Sequence, residues 1–182
     1  MALKATIFRA ELAVADMDRG HFATYTLMLA RHPSETDERM MVRLLAFALN
    51  ASEALTFGRG LSTEDEGDLM QRDLTGAIEL WVDVGLPDEK SLRKASGRAG
   101  RVVVYAYGGR AVDLWWAKNR GTLERLSNFS AFDVPQEASR ALAAFAQRTM
   151  QLTCTVQEGH VWFGNVTETV EVALTVLAQQ QV

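Results

Sequence analysis

The stretch "IELWVDVGLPDEKSLRKA", residues 78–95, decides how the chain is read. Its opening is apolar and β-branched enough for a strand over 77–84, and Gly85-Leu86-Pro87 ends it. Pro87-Asp88 then starts a helix over 88–99, since an aspartate at that point accepts the first unpaired backbone N–H groups. "RVVVYAYG" (101–108) follows, almost wholly apolar, as expected at the centre of a sheet covered on both faces. Side chains alternate along a strand, so Glu79, Trp81 and Asp83 share one side, and Ile78, Leu80, Val82 and Val84 share the other. Two acids around a tryptophan fit a polar face in water, and they fit the wall of a cleft equally well.

Upstream, 4–15 and 21–30 read as two strands of a hairpin joined by "DMDRG", whose final glycine suits a positive φ. "RHPSETDERMMVRLLAFALNAS" is the clearest helix. Ser34 is its expected N-cap, with Asp37 three residues on as in a capping box. Met40, Met41, Leu44, Leu45, Ala48 and Leu49 give it one broad apolar face. Glu35, Arg39 and Arg43 stand at i, i+4 and i+8, the spacing of an exposed charge ladder. "ALTFGRGL" (54–61) reads as a short strand, and the acidic loop "STEDEGD" follows, with a turn or short helix leading to the strand at 77–84. Downstream come a helix in "RAVDLWWAKN", a weak strand at 124–130 and an amphipathic helix in "PQEASRALAAFAQRTM". The tail is a strand meander with turns at Glu158-Gly159 and Gly164-Asn165. No repeat or linker interrupts this α+β or α/β order, so one domain over 1–182 is expected.

At 182 residues and 48% hydrophobic, the chain has enough material for a real core. Its single cysteine, Cys154, rules out an intrachain disulfide or a thiolate zinc site. In "QLTCTVQ" it alternates with Leu152 and Val156 and reads as a buried strand thiol. "MALKATIFRAELAV" resembles neither a signal peptide nor a membrane span, so a reducing, cytoplasmic setting is expected. The net charge of −4 argues against a broadly basic nucleic-acid coat. Residues 90–125 run the other way. Lys90, Arg93, Lys94, Arg98, Arg101, Arg110, Lys118, Arg120 and Arg125 face only Asp113 and Glu124, leaving room for a local anion-binding surface.

Four residues of strand put Glu79 and Asp83 ~13 Å apart at Cα. A single divalent ion with ~2.1 Å metal–oxygen bonds therefore needs a partner from outside the strand. Asp65, Glu66 and Asp68 in the acidic loop, and Glu38 on the preceding helix, are the acids on offer. Lys94 stands on the following helix, where it would either stabilise charge on phosphorus or simply face water. The three histidines, His21, His32 and His160, have no ligand spacing, and "GGRAV" lacks the Lys-Ser/Thr of a nucleotide loop.

The segments "ARHPSETDERMMVRLLAFAL", "LTFGRGLSTEDE", "IELWVDVGLPDE" and "RTMQLTCTVQEG" together resemble the YaeQ family of bacterial proteins over essentially the whole chain. The resemblance implies an α+β fold with a central mixed sheet flanked by helices. It further implies a PD-(D/E)XK restriction-endonuclease-like core with extra N- and C-terminal strands. In that superfamily, acids beside a strand hold Mg²⁺ or Mn²⁺ for phosphodiester hydrolysis. Its pattern is an acid, a gap, then Glu/Asp-X-Lys on the next strand. Here Trp81 and Gly85 stand where the lysine would follow Glu79 or Asp83, which makes Lys94 the substitute. The set implied is Asp65 and Glu79 on the metal, Asp83 in an outer shell or at a second ion, Glu38 placing water and Lys94 on the developing charge. The 90–125 segment would support a nucleic-acid backbone. The rival is a non-catalytic module that keeps the fold and binds nucleic acid or protein.

Overall fold

Alternation alone builds the N-terminal hairpin. In the computed structural model, which describes residues 4–59 and 65–180, β1 (Thr6–Asp16) and β2 (His21–Arg31) pair antiparallel in unbroken register. Phe8, Ala10, Leu12 and Val14 are buried and their neighbours are not. The chain continues through α1 (Asp37–Leu49), β3 (Leu55–Phe57), β4 (Leu69–Arg72), β5 (Ile78–Val84), α2 (Glu89–Ser96) and β6 (Ala99–Tyr107). Then come α3 (Arg110–Leu123), β7 (Phe129–Val134), α4 (Gln136–Ala143), β8 (Thr149–Gln157), β9 (His160–Gly164), β10 (Thr169–Glu171) and β11 (Thr175–Ala178). Two compact units result, Met1–Ala51 with Glu137–Ala173, and Ser52–Gln136 with Leu174–Val182.

The first unit holds a sheet in the order β10-β9-β8-β1-β2, in which β8 runs parallel to β1 and the other neighbours antiparallel. Asp18 in the first hairpin turn accepts the N–H groups of Glu158 and Gly159 at 2.7 and 2.8 Å, which ties that turn to the β8–β9 turn. Cys154 is fully buried on β8, and burial pushes its thiol up to about 12. α1 contacts β1 and β8. Its expected N-cap is corrected: Thr36 caps it, accepting the N–H of Arg39 at 3.1 Å. Ser34 is engaged instead in a local turn with the His32 ring. Asp37 pairs with Arg31. The exposed ladder is also corrected. Met40–Ala48 is buried on every side, and Glu35 and Arg43 are only 6% and 4% exposed. Glu35 accepts from Arg39 at 2.9 Å and from Arg43 at 2.5 Å, so the spacing serves a buried ion network.

The second unit holds a six-stranded mixed sheet in the order β11-β7-β6-β5-β4-β3. β5, β6 and β7 are parallel, connected through α2 and α3. Trp81, Val102, Val104, Phe129 and Ala131 on one face of this sheet pack with Leu92 and Ala95 of α2 and Val112 and Leu123 of α3. Several expected elements shift. β4 forms where a turn or short helix was expected, because Leu69 and Met70 are buried and pair with Val82 and Trp81. The strand at 54–61 contracts to Leu55–Phe57, and Gly60 and Leu61 lie outside the described residues. The weak strand at 124–130 is displaced to β7, since α3 runs on to Leu123. The helix over 135–150 stops at Ala143, because Thr149 onward is taken into pairing with β1. Among the described residues no helix is long and apolar enough to cross a membrane.

Breaking a buried ion pair leaves a charge in low dielectric, which costs about 3–5 kcal/mol. Glu35→Ala is expected to lower unfolding stability by about that amount in urea titration. A change below about 1 kcal/mol, the scale of an exposed pair, would show that the network is solvated.

Candidate functional site

The backbone packs closely in the second unit where the chain approaches β4. A Cβ on Gly67 would lie 2.8 Å from Nε1 of Trp81 and 2.9 Å from the Val82 carbonyl oxygen. A Cβ on Gly58 would lie 2.1 Å from the Gly67 oxygen. Glycine at both positions lets the backbones close together. The closeness brings Asp68, directly before β4, against Asp83 near the end of β5. The Asp68 N–H donates to Asp83 Oδ1 at 3.3 Å, and the Val84 N–H donates to Asp68 Oδ2 at 2.8 Å. Trp81 Nε1 donates to Asp83 Oδ2 at 3.0 Å. Both carboxylates are half-buried.

The face shared by Glu79, Trp81 and Asp83 is therefore no polar face in water. Trp81 is 4% exposed and belongs to the core beneath α2 and α3. Glu79, at the other end of β5, is exposed and accepts from Gln71 Nε2 at 2.8 Å. Asp65 is also exposed, and its Oδ1 accepts from Lys94 Nζ at 2.9 Å and from Arg98 at 3.3 Å. The Lys94 ammonium holds the Asp65 carboxyl below the usual carboxylate range. Glu38 lies in the other unit and accepts from Ser139 Oγ at 2.6 Å. Of the five sequence candidates, Asp65 and Lys94 are brought together; Asp83 meets Asp68, and Glu79 and Glu38 have partners of their own. Among the described residues, no three His, Cys, Asp or Glu side chains cluster so as to hold a metal.

All nine basic residues of 90–125 are exposed. Arg93 pairs with Glu89 and Arg120 with Glu124, each across one helical turn. The Arg98 guanidinium lies 5.8 Å from the centre of the Trp81 ring, within cation–π range.

An acid that sequence reading missed lies at the carboxyl end of β7. Asp133 pairs in register with Ala106, and its Oδ1 is buried with no hydrogen-bond partner among the described residues. Burial, and then the nearby Asp113 charge, hold its carboxyl above the ordinary range. Gly108 and Gly109, both at positive φ, turn the chain from β6 into α3 beside it, and a Cβ on Gly109 would lie 2.8 Å from Gln136 Oε1. Carboxyl ends of parallel strands are where α/β sheets place their ligands. Asp68 had a usable signal, an acid set directly before the apolar pair Leu69-Met70. Asp133 in "AFDVP" had none, since the weak strand expected at 124–130 ends before it.

Comparison with known proteins agrees with the motif reading. The family profile described as "YaeQ protein" matches residues 1–174. The chain is 44% identical to the "Uncharacterized protein YaeQ" of Escherichia coli (strain K12) over 179 residues, covering 98% of this chain and 99% of that one. The corresponding Salmonella typhi protein is equally similar. The crystal structure of YaeQ from Xanthomonas axonopodis pv. citri superposes with a TM-score of 0.92 at 47% identity, over 96% of this chain and 98% of that one. That of YaeQ from Pseudomonas syringae gives 0.92 at 36% identity, over 96% and 97%.

Because the Asp133 pKa is raised in the folded state, the native protein holds more protons than the unfolded one between the ordinary carboxylate pKa and the folded value. Stability falls as pH rises through that window and stays reduced above it. Asp133→Asn is expected to be more stable than the parent at pH 7, with the advantage shrinking as pH falls below the folded pKa. Parallel stability–pH curves, measured by urea unfolding, would contradict this.

Proposed function

The chain belongs to the YaeQ family, and on that premise we propose that it is a cytoplasmic bacterial phosphodiesterase acting on nucleic acid with a divalent metal. Asp68 and Asp83 are the metal-binding carboxylates in this reading. The observation that carries it is the acid pair: one acid directly before a strand, the other near the end of the next, joined through backbone N–H groups. The run β3-β4-β5-α2-β6, two antiparallel steps and then a parallel step across a helix, supports a PD-(D/E)XK-like core. Asp68 replaces Asp65 as the first acid of that pattern, since Asp65 is turned to Lys94 and Arg98.

The donor chemistry fits magnesium or manganese. Hard oxygen ligands suit both, and Mg²⁺ is commonly held by one or two carboxylates with water and phosphate oxygens filling the remaining positions. When bound, such an ion polarises a phosphoryl oxygen and lowers the pKa of its water. The chain's own part is orientation. Trp81 and the Val84 and Asp68 amides fix how the two carboxylates point, as outer hydrogen bonds do around metal ligands. Lys94 and Arg98 sit in exposed ion pairs with Asp65, which are weak enough to exchange for a phosphate. The other exposed cations of 90–125 supply backbone affinity that falls with salt. Glu79 and Glu38 lie outside the metal site here, bonded to Gln71 and Ser139.

A second reading, a binding module without catalysis, draws on one observation. Asp68 and Asp83 already accept N–H bonds from Val84, Asp68 and Trp81, which would hold the sheet together with no ion present.

The test is cleavage of labelled single- and double-stranded DNA and RNA with Mn²⁺ or with EDTA. We expect metal-dependent cleavage, lost in Asp83→Asn and reduced about 10–100-fold in Trp81→Phe, which removes the indole N–H together with part of the core packing around it. Binding that weakens with salt but never leads to cleavage would favour the second reading. Cleavage unaffected by Asp83→Asn would overturn the site.

A further inference from the structure

We propose that β2 is the seam of a homodimer, in which two copies pair β2 with β2 antiparallel about a two-fold axis at Tyr25 and their sheets become continuous. The proposal concerns the first unit alone and is independent of the acid pair.

β2 is the outer strand of its sheet, eleven residues long and in unbroken register with β1. Sheet edges are ordinarily guarded by shortness, a lysine, a proline or a bulge. The interior of β2, "FATYTLMLA" (22–30), has no charge, proline or glycine. The direction of its backbone groups follows from β1. The Ile7 carbonyl accepts from Arg148 Nε at 3.2 Å, and the Arg9 N–H donates to the Arg148 carbonyl at 2.8 Å, so both residues turn their polar groups to the β8 side. In an antiparallel ladder their partners Ala30 and Met28 then face away from β1. The Ala30 carbonyl accordingly accepts from Arg43 at 3.4 Å. By the same alternation Phe22, Thr24 and Thr26 also direct N–H and C=O outward.

The strand is complementary to itself, which selects a second copy as the occupant. With the axis at Tyr25, Phe22 stands opposite Met28 of the second copy and Thr24 opposite its Thr26, and the two-fold repeats each pair. Phe22 is 64% exposed and Met28 60%, and their pairing gives a sulfur–aromatic contact on each side of the axis. Ala23 meets Leu27 on the other face, and Tyr25 meets Tyr25. Across the paired stretch 21–29 no like charges oppose, and Arg31 falls beyond it, opposite the β1–β2 turn.

Sedimentation equilibrium at about 100 μM, with Thr24→Lys/Thr26→Lys, Thr24→Glu/Thr26→Glu and their mixture, tests both seam and register. The wild type is expected at twice the monomer mass. Each double variant should be monomeric through like-charge opposition, and the mixture should dimerise again because Lys at 24 meets Glu at 26. A monomeric wild type overturns the proposal and leaves a foreign peptide strand as the edge's partner. A dimer that survives both variants, or a mixture that stays monomeric, also overturns it. Wild-type amide exchange keeps the test independent of variant folding. Phe22, Thr24, Thr26 and Met28 amides should be protected at 100 μM and lose protection on dilution, and concentration-independent exchange contradicts the seam.

Discussion

A side chain at position 67 would strike the Trp81 indole, and the candidate site depends on that side chain being absent. Gly67 lets the chain run flat against β5 as it turns into β4, and Gly58 leaves room on its other side. The closeness sets the Asp83 carboxylate on the Asp68 amide and the Asp68 carboxylate on the Val84 amide, and brings the Trp81 N–H to Asp83. Trp81 is at the same time core, packed beneath α2 and α3 with Leu92 and Ala95. The acids are thus fixed by the hydrophobic core through one bifunctional side chain, and each is oriented by donors that lose conformational freedom on folding rather than on binding.

Buried charge is handled differently in the first unit. Glu35, just before the Thr36 cap, forms a network with Arg39 and Arg43 of α1, a helix whose residues Met40–Ala48 are all buried. Replacing such a network with apolar residues is often neutral or stabilising, whereas removing one member is costly. Its presence therefore adds little to stability, and it ties Arg39 and Arg43 of α1 to the segment before the cap and, through Arg43, to the Ala30 carbonyl of β2.

What was legible in the sequence were elements with a strong period or run: the β1–β2 hairpin, the α1 helix, the apolar strands at 77–84 and 101–108, and the Asp88 start of α2. β4 was not, because "LMQR" is too short to show alternation and its burial comes from pairing with β5. α4 looked longer because "ALAAFAQRTM" favours helix locally, and the parallel partner of β8 lies far away in sequence. The Glu35–Arg43 spacing is the same for a surface ladder and a buried network, so burial alone separates them. The same limit applied at the site. Asp65 and Asp68 are three residues apart in one acidic loop, and only the glycine contacts decide which reaches β5. Family membership was legible from the long motifs and is shown by the comparisons, while an acid's partner depends on backbone placement that no motif records.

The most direct test is calorimetric titration of Mn²⁺ into the wild type, Asp83→Asn and Glu79→Gln, repeated with a non-cleavable oligonucleotide present. Saturable binding that Asp83→Asn abolishes and Glu79→Gln retains is the predicted result. Absence of binding under both conditions, or binding that persists in Asp83→Asn, would contradict a metal site built on Asp68 and Asp83.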